Sequence, residues 1–352
     1  MKKKRKSKAT SPARYITNYL ISALLALLFA ATFTLHNTDT QPRLPSSDKP
    51  AELYANQTHD DLTKAFTTAI DQAKHSVLLI IYSLTDPEII ASLRQQSLQG
   101  IDVRVICDAK ASPHIDRKLG PKTTCLRRFG PGLMHQKILV IDEKQTWLGS
   151  ANMTTESLQV HGNLVAAFDD PSLAQAIKAK ASSMQVEDFN PPFKHQNFTI
   201  GGQTVELWFL PDDQAAISRL KALIRGAEKT IRIAMFTWTR QDLAQEVIAA
   251  RKRGIDTQVV IDHTAGKGAG AKIVELLKKN KVPVALSQGG PLLHHKFLYI
   301  DSNLLVNGSA NWTKAAFTTN DDCFLVIHPL TNTQKASMDN LWQKISSEAL
   351  RP

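Results

Sequence analysis

The chain repeats itself, and a repeat binds its fold more tightly than any composition can. Residues 51–108 lie over residues 205–262 at a constant offset of 154, without a gap. Ala51 to Tyr54 (AELY) falls on Val205 to Trp208 (VELW). HSVLLIIYSLT, ending at Thr85, falls on KTIRIAMFTWT, ending at Thr239, and Gly100 to Asp108 (GIDVRVICD) falls on Gly254 to Asp262 (GIDTQVVID). Before each apolar run stands a stretch with helical spacing: Leu62, Phe66, Ala69, Ile70 and Ala73 in one copy, Leu220, Leu223, Ile224 and Ala227 in the other. Val77 to Ile81 and Val103 to Cys107 are almost wholly apolar, as strands covered on both faces must be. Each copy therefore reads strand, helix, buried strand, helix, buried strand, which is an α/β layer pattern. Duplication by itself says nothing about chemistry.

A second pair of blocks follows the first. Met134 to Thr154 reads MHQKILVIDEKQTWLGSANMT, and Leu293 to Thr313 reads LHHKFLYIDSNLLVNGSANWT. The loop leading into the second block is five residues longer, so the offset here is 159. Each block carries His, Lys two residues on, Asp seven on and Asn seventeen on: His135, Lys137, Asp142 and Asn152; His294, Lys296, Asp301 and Asn311. On a strand, residues two apart share a face, so each His points with its Lys. Asp142 and Asp301 sit at an odd separation and face away, as framework groups. Gly-Ser-Ala-Asn then falls at a strand end, where Ser150, Asn152, Ser309 and Asn311 are candidates to position a phosphate. His295 has the wrong parity and is read as pointing into the framework. A lone His-x-Lys on a strand is more often half-exposed surface than an active site. Two copies, each with GSAN at the same distance inside an independent repeat, leave coincidence negligible.

These residues resemble the HKD motif, HxKx4D followed by GS-x-N, of the phospholipase D superfamily, over about residues 51–345. The resemblance implies two tandem α/β/α halves related by a pseudo-twofold axis, with His135, Lys137 and Asp142 and their copies His294, Lys296 and Asp301 as the catalytic motif residues. It implies that one His attacks phosphorus, the other protonates the leaving alcohol and then activates water, and the Lys and Asn residues cradle the phosphate, with no metal and no cofactor. Family precedent makes His135 the nucleophile and His294 the acid/base, an order the equivalent halves do not themselves distinguish. Family members often place an acid downstream of GS-x-N to bond the opposite His. Asp322 fills that position in the second half, whereas the first half has His161, Gly162 and Asn163 there and no acid.

Charge and composition bear on the substrate. The net charge is +11, but seven of the 43 basic residues lie among the first fourteen, where there is no acid. The remaining 36 bases meet 32 acids, a net of +4, which argues against a duplex-binding groove. Residues 15–35 carry no charge and follow that basic run. They read as a signal anchor, or alternatively as a cleaved signal peptide that would leave the protein secreted. The expected layout is a cytoplasmic tail (1–14), a transmembrane segment (15–35), a linker (36–50), an extracytoplasmic first half (51–190), a connector (191–204) and a second half (205–352). A cleft held near a bilayer favours a phospholipid such as phosphatidylcholine as partner. A nuclease is the alternative, with Lys118, Lys122, Arg127, Arg128, Lys267 and Lys272 as a track for nucleic acid, and a cardiolipin synthase-like transferase is a third reading. Three cysteines without CxxC spacing make neither a disulfide framework nor a zinc site.

Overall fold

A computed structural model describes residues 42–184 and 192–349. The chain divides into Met1–Pro42, of which Pro42 alone is described, and a compact unit Arg43–Pro352. The strands of the compact unit are β1 (Glu52–Ala55), β2 (Ser76–Ile81), β3 (Asp102–Asp108), β4 (Thr124–Arg128), β5 (Lys137–Ile141), β6 (Gln145–Gly149) and β7 (Leu164–Asp169), then β8 (Gln196–Ile200), β9 (Gln203–Leu210), β10 (Thr230–Met235), β11 (Asp256–Ile261), β12 (Val284–Leu286), β13 (Lys296–Ile300), β14 (Leu304–Gly308) and β15 (Asp322–His328). They form two sheets, ordered β1-β7-β6-β5-β2-β3-β4 and β12-β11-β10-β13-β14-β15-β9-β8. Read from its other edge, the second sheet repeats the first strand for strand and adds β8 outside β9. In each, one group of three neighbours is parallel (β2, β3, β4; β10, β11, β12), and the other pairings are antiparallel. The two halves thus repeat one mixed α/β architecture, in keeping with the tandem α/β/α halves expected from the resemblance.

Alternation along the central strands explains why they are apolar throughout. Leu79 and Ile81 of β2 enter an outer core beneath the helices Leu62–Asp71 and Pro87–Leu98, while Ile80 between them enters a core on the opposite face. That inner core draws on both halves: Ile138, Leu148 and Phe168 from the first sheet, Leu207, Phe297 and Leu325 from the second. The helices Pro171–Ser183 and Asn332–Glu348 contribute Ile177 and Trp342 to it. One hydrophobic cluster therefore belongs to both sheets, and separating the halves would expose it at about 25 cal/mol for every Å² of apolar surface. Helix starts follow local chemistry. Asp86 accepts the Glu88 and Ile89 amides just ahead of Pro87, and Thr331 with Gln334 closes a capping box.

Three expectations need correction. Among the described residues no helix is long and apolar enough to cross a membrane, which overturns the single-pass membrane placement with an extracytoplasmic body. The tail 1–14 and the segment 15–35 on which that placement rested lie outside the described residues. Arg43–Pro50 is not free linker, because Leu44 packs against the first outer core and the Tyr54 hydroxyl donates to the Arg43 carbonyl. Part of the expected connector is sheet: β8 and β9 form a hairpin closed by Gly201 and Gly202 at φ 55° and 77°, a two-residue turn that needs φ above zero at both positions. The three cysteines are free thiols.

Candidate active site

Each motif His stands two residues ahead of the Lys that begins β5 or β13. Lys137 pairs with Ile81 of β2, and Lys296 with Met235 of β10, so both motifs lie where the parallel strands end. The ladder continues one step further, with the Tyr82 amide donating to Gln136 O at 3.0 Å and Phe236 to His295 O at 2.8 Å. Aspartates at the ends of the repeated strands fix the approach. Asp108 accepts the Met134 amide at 3.1 Å and Asp262 accepts that of Leu293 at 3.0 Å, each directly before a motif His.

Asp142 and Asp301 lie at the far end of the same strands, on the order of 20 Å of extended chain from the His residues. Their φ values of 50° and 53° turn the carboxylates back onto the sheet. Asp142 accepts the amides of Lys74, His75 and Ser76, and Asp301 those of Glu228, Lys229 and Thr230, all between 2.7 and 3.0 Å. They hold the starts of β2 and β10 and leave the set of residues that could touch a substrate, as their parity implied.

The imidazoles are gripped from the opposite half. His135 Nδ1 stands 2.8 Å from Asp322 Oδ1, and the His135 amide donates to Asp321 O at 2.8 Å. By the same path, His294 Nδ1 stands 2.9 Å from Asn163 Oδ1, and the Gly162 amide donates to Leu292 O at 2.8 Å. Asn163 fills the place of Asp322 at the offset of 159 and supplies the partner that the missing acid would have provided. Its Nδ2 donates to Ser157 O at 2.7 Å and His161 O at 3.1 Å, which leaves Oδ1 for the ring and requires His294 to carry its proton on Nδ1. Asp322, a carboxylate, imposes the same tautomer on His135. Nε2 of each neutral ring then carries the free lone pair.

Ser150 and Ser309 do not serve as phosphate contacts. Both are fully buried, and their hydroxyls donate to Asn163 Oδ1 at 2.8 Å and Asp322 Oδ1 at 2.6 Å while accepting the Leu164 and Cys323 amides. They brace the groups that brace the imidazoles. The Asn311 oxygen accepts the Thr237 amide at 3.2 Å, so Nδ2 is the end of that side chain with donors to offer. Asn152 Oδ1 is buried with no partner among the described residues. His295 is wholly buried, its Nε2 2.6 Å from Gln57 Oε1, and burial together with Lys296 pushes it down to about 3, so it is neutral and part of the framework. The crossing is tight there, since a Cβ on Gly162 would fall 2.3 Å from Gln57 Oε1.

Four basic side chains converge. Lys137 and Lys296 donate back to the carbonyls of His135 and His294 and lie 5.1 and 4.8 Å from the ring centres of Tyr82 and Phe236, the repeat equivalents of one another. Burial lowers Lys137 to about 7, and burial and the charge of Lys137 hold Lys296 well below its usual range. Burial, then Lys137, lowers His135, with Asp322 pulling the other way; burial, Lys296, Lys137 and His135 lower His294 much further. Burial pushes the Asp322 carboxyl up, but His135, Lys137 and Ser309 outweigh it and keep the group ionised. Charges of each half thus act on the other half's imidazole, and Asp322 answers His135 and both lysines, with Asp108 acting on Lys137 and Asp262 on Lys296. Such a place favours an anion.

The family model for the cardiolipin synthase, PLD-like domain matches residues 66–185 and again 220–342. The chain belongs to that family and, through it, to the phospholipase D superfamily. It is 29% identical over 137 residues to a mitochondrial cardiolipin hydrolase of Xenopus tropicalis, covering 38% of this chain and 65% of that protein. With the Homo sapiens protein of the same name it is 31% identical over 117 residues, covering 33% of this chain and 46% of that one. These matches span between about half and two thirds of the relatives' length. The phosphatidylserine synthase of Haemophilus influenzae superposes over 91% of both chains with a TM-score of 0.66 at 12% identity, which is a likeness of fold.

Proposed function

We propose that this phosphodiesterase hydrolyses a phospholipid at the headgroup side of its phosphate, through a phosphohistidine. His135 Nε2 attacks phosphorus in line as the bond to the headgroup oxygen breaks, and His294 gives its Nε2 proton to the departing alcohol. Water then attacks the phosphohistidine, losing a proton to His294, and the P–N bond breaks to release a phosphatidic acid. Lys137, Lys296 and the Asn311 amide offer donors to the non-bridging oxygens, where transition-state charge accumulates. An anionic phosphate among four buried basic groups raises their affinity for protons, so substrate binding itself favours the charged His294 that the step needs.

The observation that supports this reading is the crossed pair of grips, Asp322 on His135 and Asn163 on His294, by which each half holds the other half's imidazole at Nδ1 and leaves Nε2 for a substrate. The choice of lipid is supported by the family description and by relatives that are cardiolipin hydrolases. The purified chain, assayed with chelator present, should release headgroup alcohol and phosphatidic acid from phospholipid vesicles. Cleavage of single-stranded oligonucleotide with no lipid turnover would replace the substrate, and an absolute requirement for added metal would overturn the mechanism.

A further inference from the structure

Among the described residues four large hydrophobic side chains are markedly exposed: Leu98 at 56%, Phe129 at 50%, Leu133 at 41% and Val160 at 52%. Leu98 ends the helix that leads into β3, at the end of the sheet remote from the motifs. The other three collect at the cleft. Leu133 is two residues before His135, and its carbonyl accepts the Asp321 amide at 2.8 Å. Phe129 follows Arg128, whose guanidinium forms a buried ion pair with Asp321 at 2.7 Å. Val160 is two residues from Gly162, whose amide donates to Leu292 O just ahead of His294, and it lines a separate cavity of about 370 Å³ with Leu292, Gln57 and Lys344. Apolar tips therefore stand on the segments that cross between the halves beside each motif His, near the four basic side chains of the site. Exposed Lys110, Arg117, Lys118, Lys267 and Lys314 outnumber exposed Glu88, Asp116 and Glu156 on the segments that follow the strands at the motif end.

We propose that this rim docks on the surface of an anionic phospholipid bilayer, with Phe129 and Leu133 entering the acyl region on one side of the cleft and Val160 on the other. The inference rests on the lipid reading above and adds how the site reaches its substrate. A bilayer presents the two chemistries in the order the rim offers them, phosphate charge for the lysines and hydrocarbon beneath it for the tips. A nucleic-acid strand would leave Leu133 and Val160 without a partner, and a second copy seated on the rim would close the cleft to any substrate.

The full chain can report insertion directly, because all five native tryptophans, at 147, 208, 238, 312 and 342, are buried. Phe129→Trp should be quenched by vesicles of phosphatidylglycerol with brominated acyl chains, and Leu98→Trp should not. Phe129→Ser with Leu133→Ser should lower the ratio of turnover on vesicles to turnover on a short-chain monomeric phospholipid by about tenfold or more, whereas Leu98→Ser should match the parent. Absence of quenching at 129, equal quenching at 98, or an unchanged ratio in the double variant would overturn the docking. So would a rim that the same substitutions show to bind oligonucleotide or a second copy in place of vesicles. Failure of the parent to cleave the monomeric lipid would instead sink the lipid reading, and the quenching experiment would still decide the docking.

Discussion

The two halves have the same strand order and the same motif, yet their imidazoles rest on different chemistry. His135 leans on a carboxylate, Asp322, and His294 on an amide, Asn163. Arg128 reinforces one crossing through Asp321, while the corresponding residue at the other is Gly162, where backbone passes against Gln57 and His295. The halves share one geometry, and the acid-to-amide difference is among those that leave the two rings unequal. A carboxylate stabilises the positive ring of a phosphohistidine, whereas an amide holds a ring in place without making it a stronger base. On the proposed mechanism the first suits a nucleophile and the second a proton donor.

The largest effect tests that inequality. His135→Ala and His294→Ala should each cut lipid turnover by about 10³-fold or more. With a nitrophenyl phosphodiester, whose leaving group needs no proton, His294→Ala should still phosphorylate His135, and mass spectrometry of the peptide should find the adduct. The mirror experiment on His135→Ala should find none at His294. Next in size, Asn311→Ala removes one donor to the developing charge and should lower kcat by about 10²-fold with a smaller change in KM.

Exchanging the two partners sharpens the comparison further. His135 must be neutral to attack and His294 charged to donate, and both lie below the ordinary value of 6.5, so kcat/KM should peak on the acid side of 6.5, midway between them. Asp322→Asn removes a group that raises His135, and the optimum should move to lower pH. Asn163→Asp places a negative charge beside His294, favours its charged form, and should move the optimum upward. Shifts in the opposite sense, or none, would show that these partners do not govern the rings.

The smallest effects separate framework from chemistry. Asp142→Ala and Asp301→Ala each strand three amides at a strand start, and each should cost about 1–3 kcal/mol in thermal or denaturant unfolding. His295→Ala should leave most of the turnover.

Much of this was legible in the sequence because it depends on period and spacing. Two-residue parity already set His135 with Lys137, turned Asp142 away and sent His295 inward, and the repeat implied two equivalent sheets. What escaped depends on contacts between residues far apart in the chain. Asn163 was hidden because the pattern calls for an acid and an amide does the same holding, although its alignment with Asp322 was a usable signal. Ser150 and Ser309 looked like phosphate contacts because Gly-Ser-Ala-Asn falls at a strand end, and only the packed site commits their hydroxyls inward. Asp108 and Asp262 were visible as repeat ends, but not as the groups that anchor the approach to each His.

A structure of the protein with orthovanadate bound asks most directly whether one phosphorus is shared by both halves. A shared site would hold a trigonal-bipyramidal vanadate with His135 Nε2 at one apex, His294 Nε2 hydrogen-bonded to the oxygen at the other, and both lysines on its equatorial oxygens. Vanadate held by the residues of one half alone would contradict it.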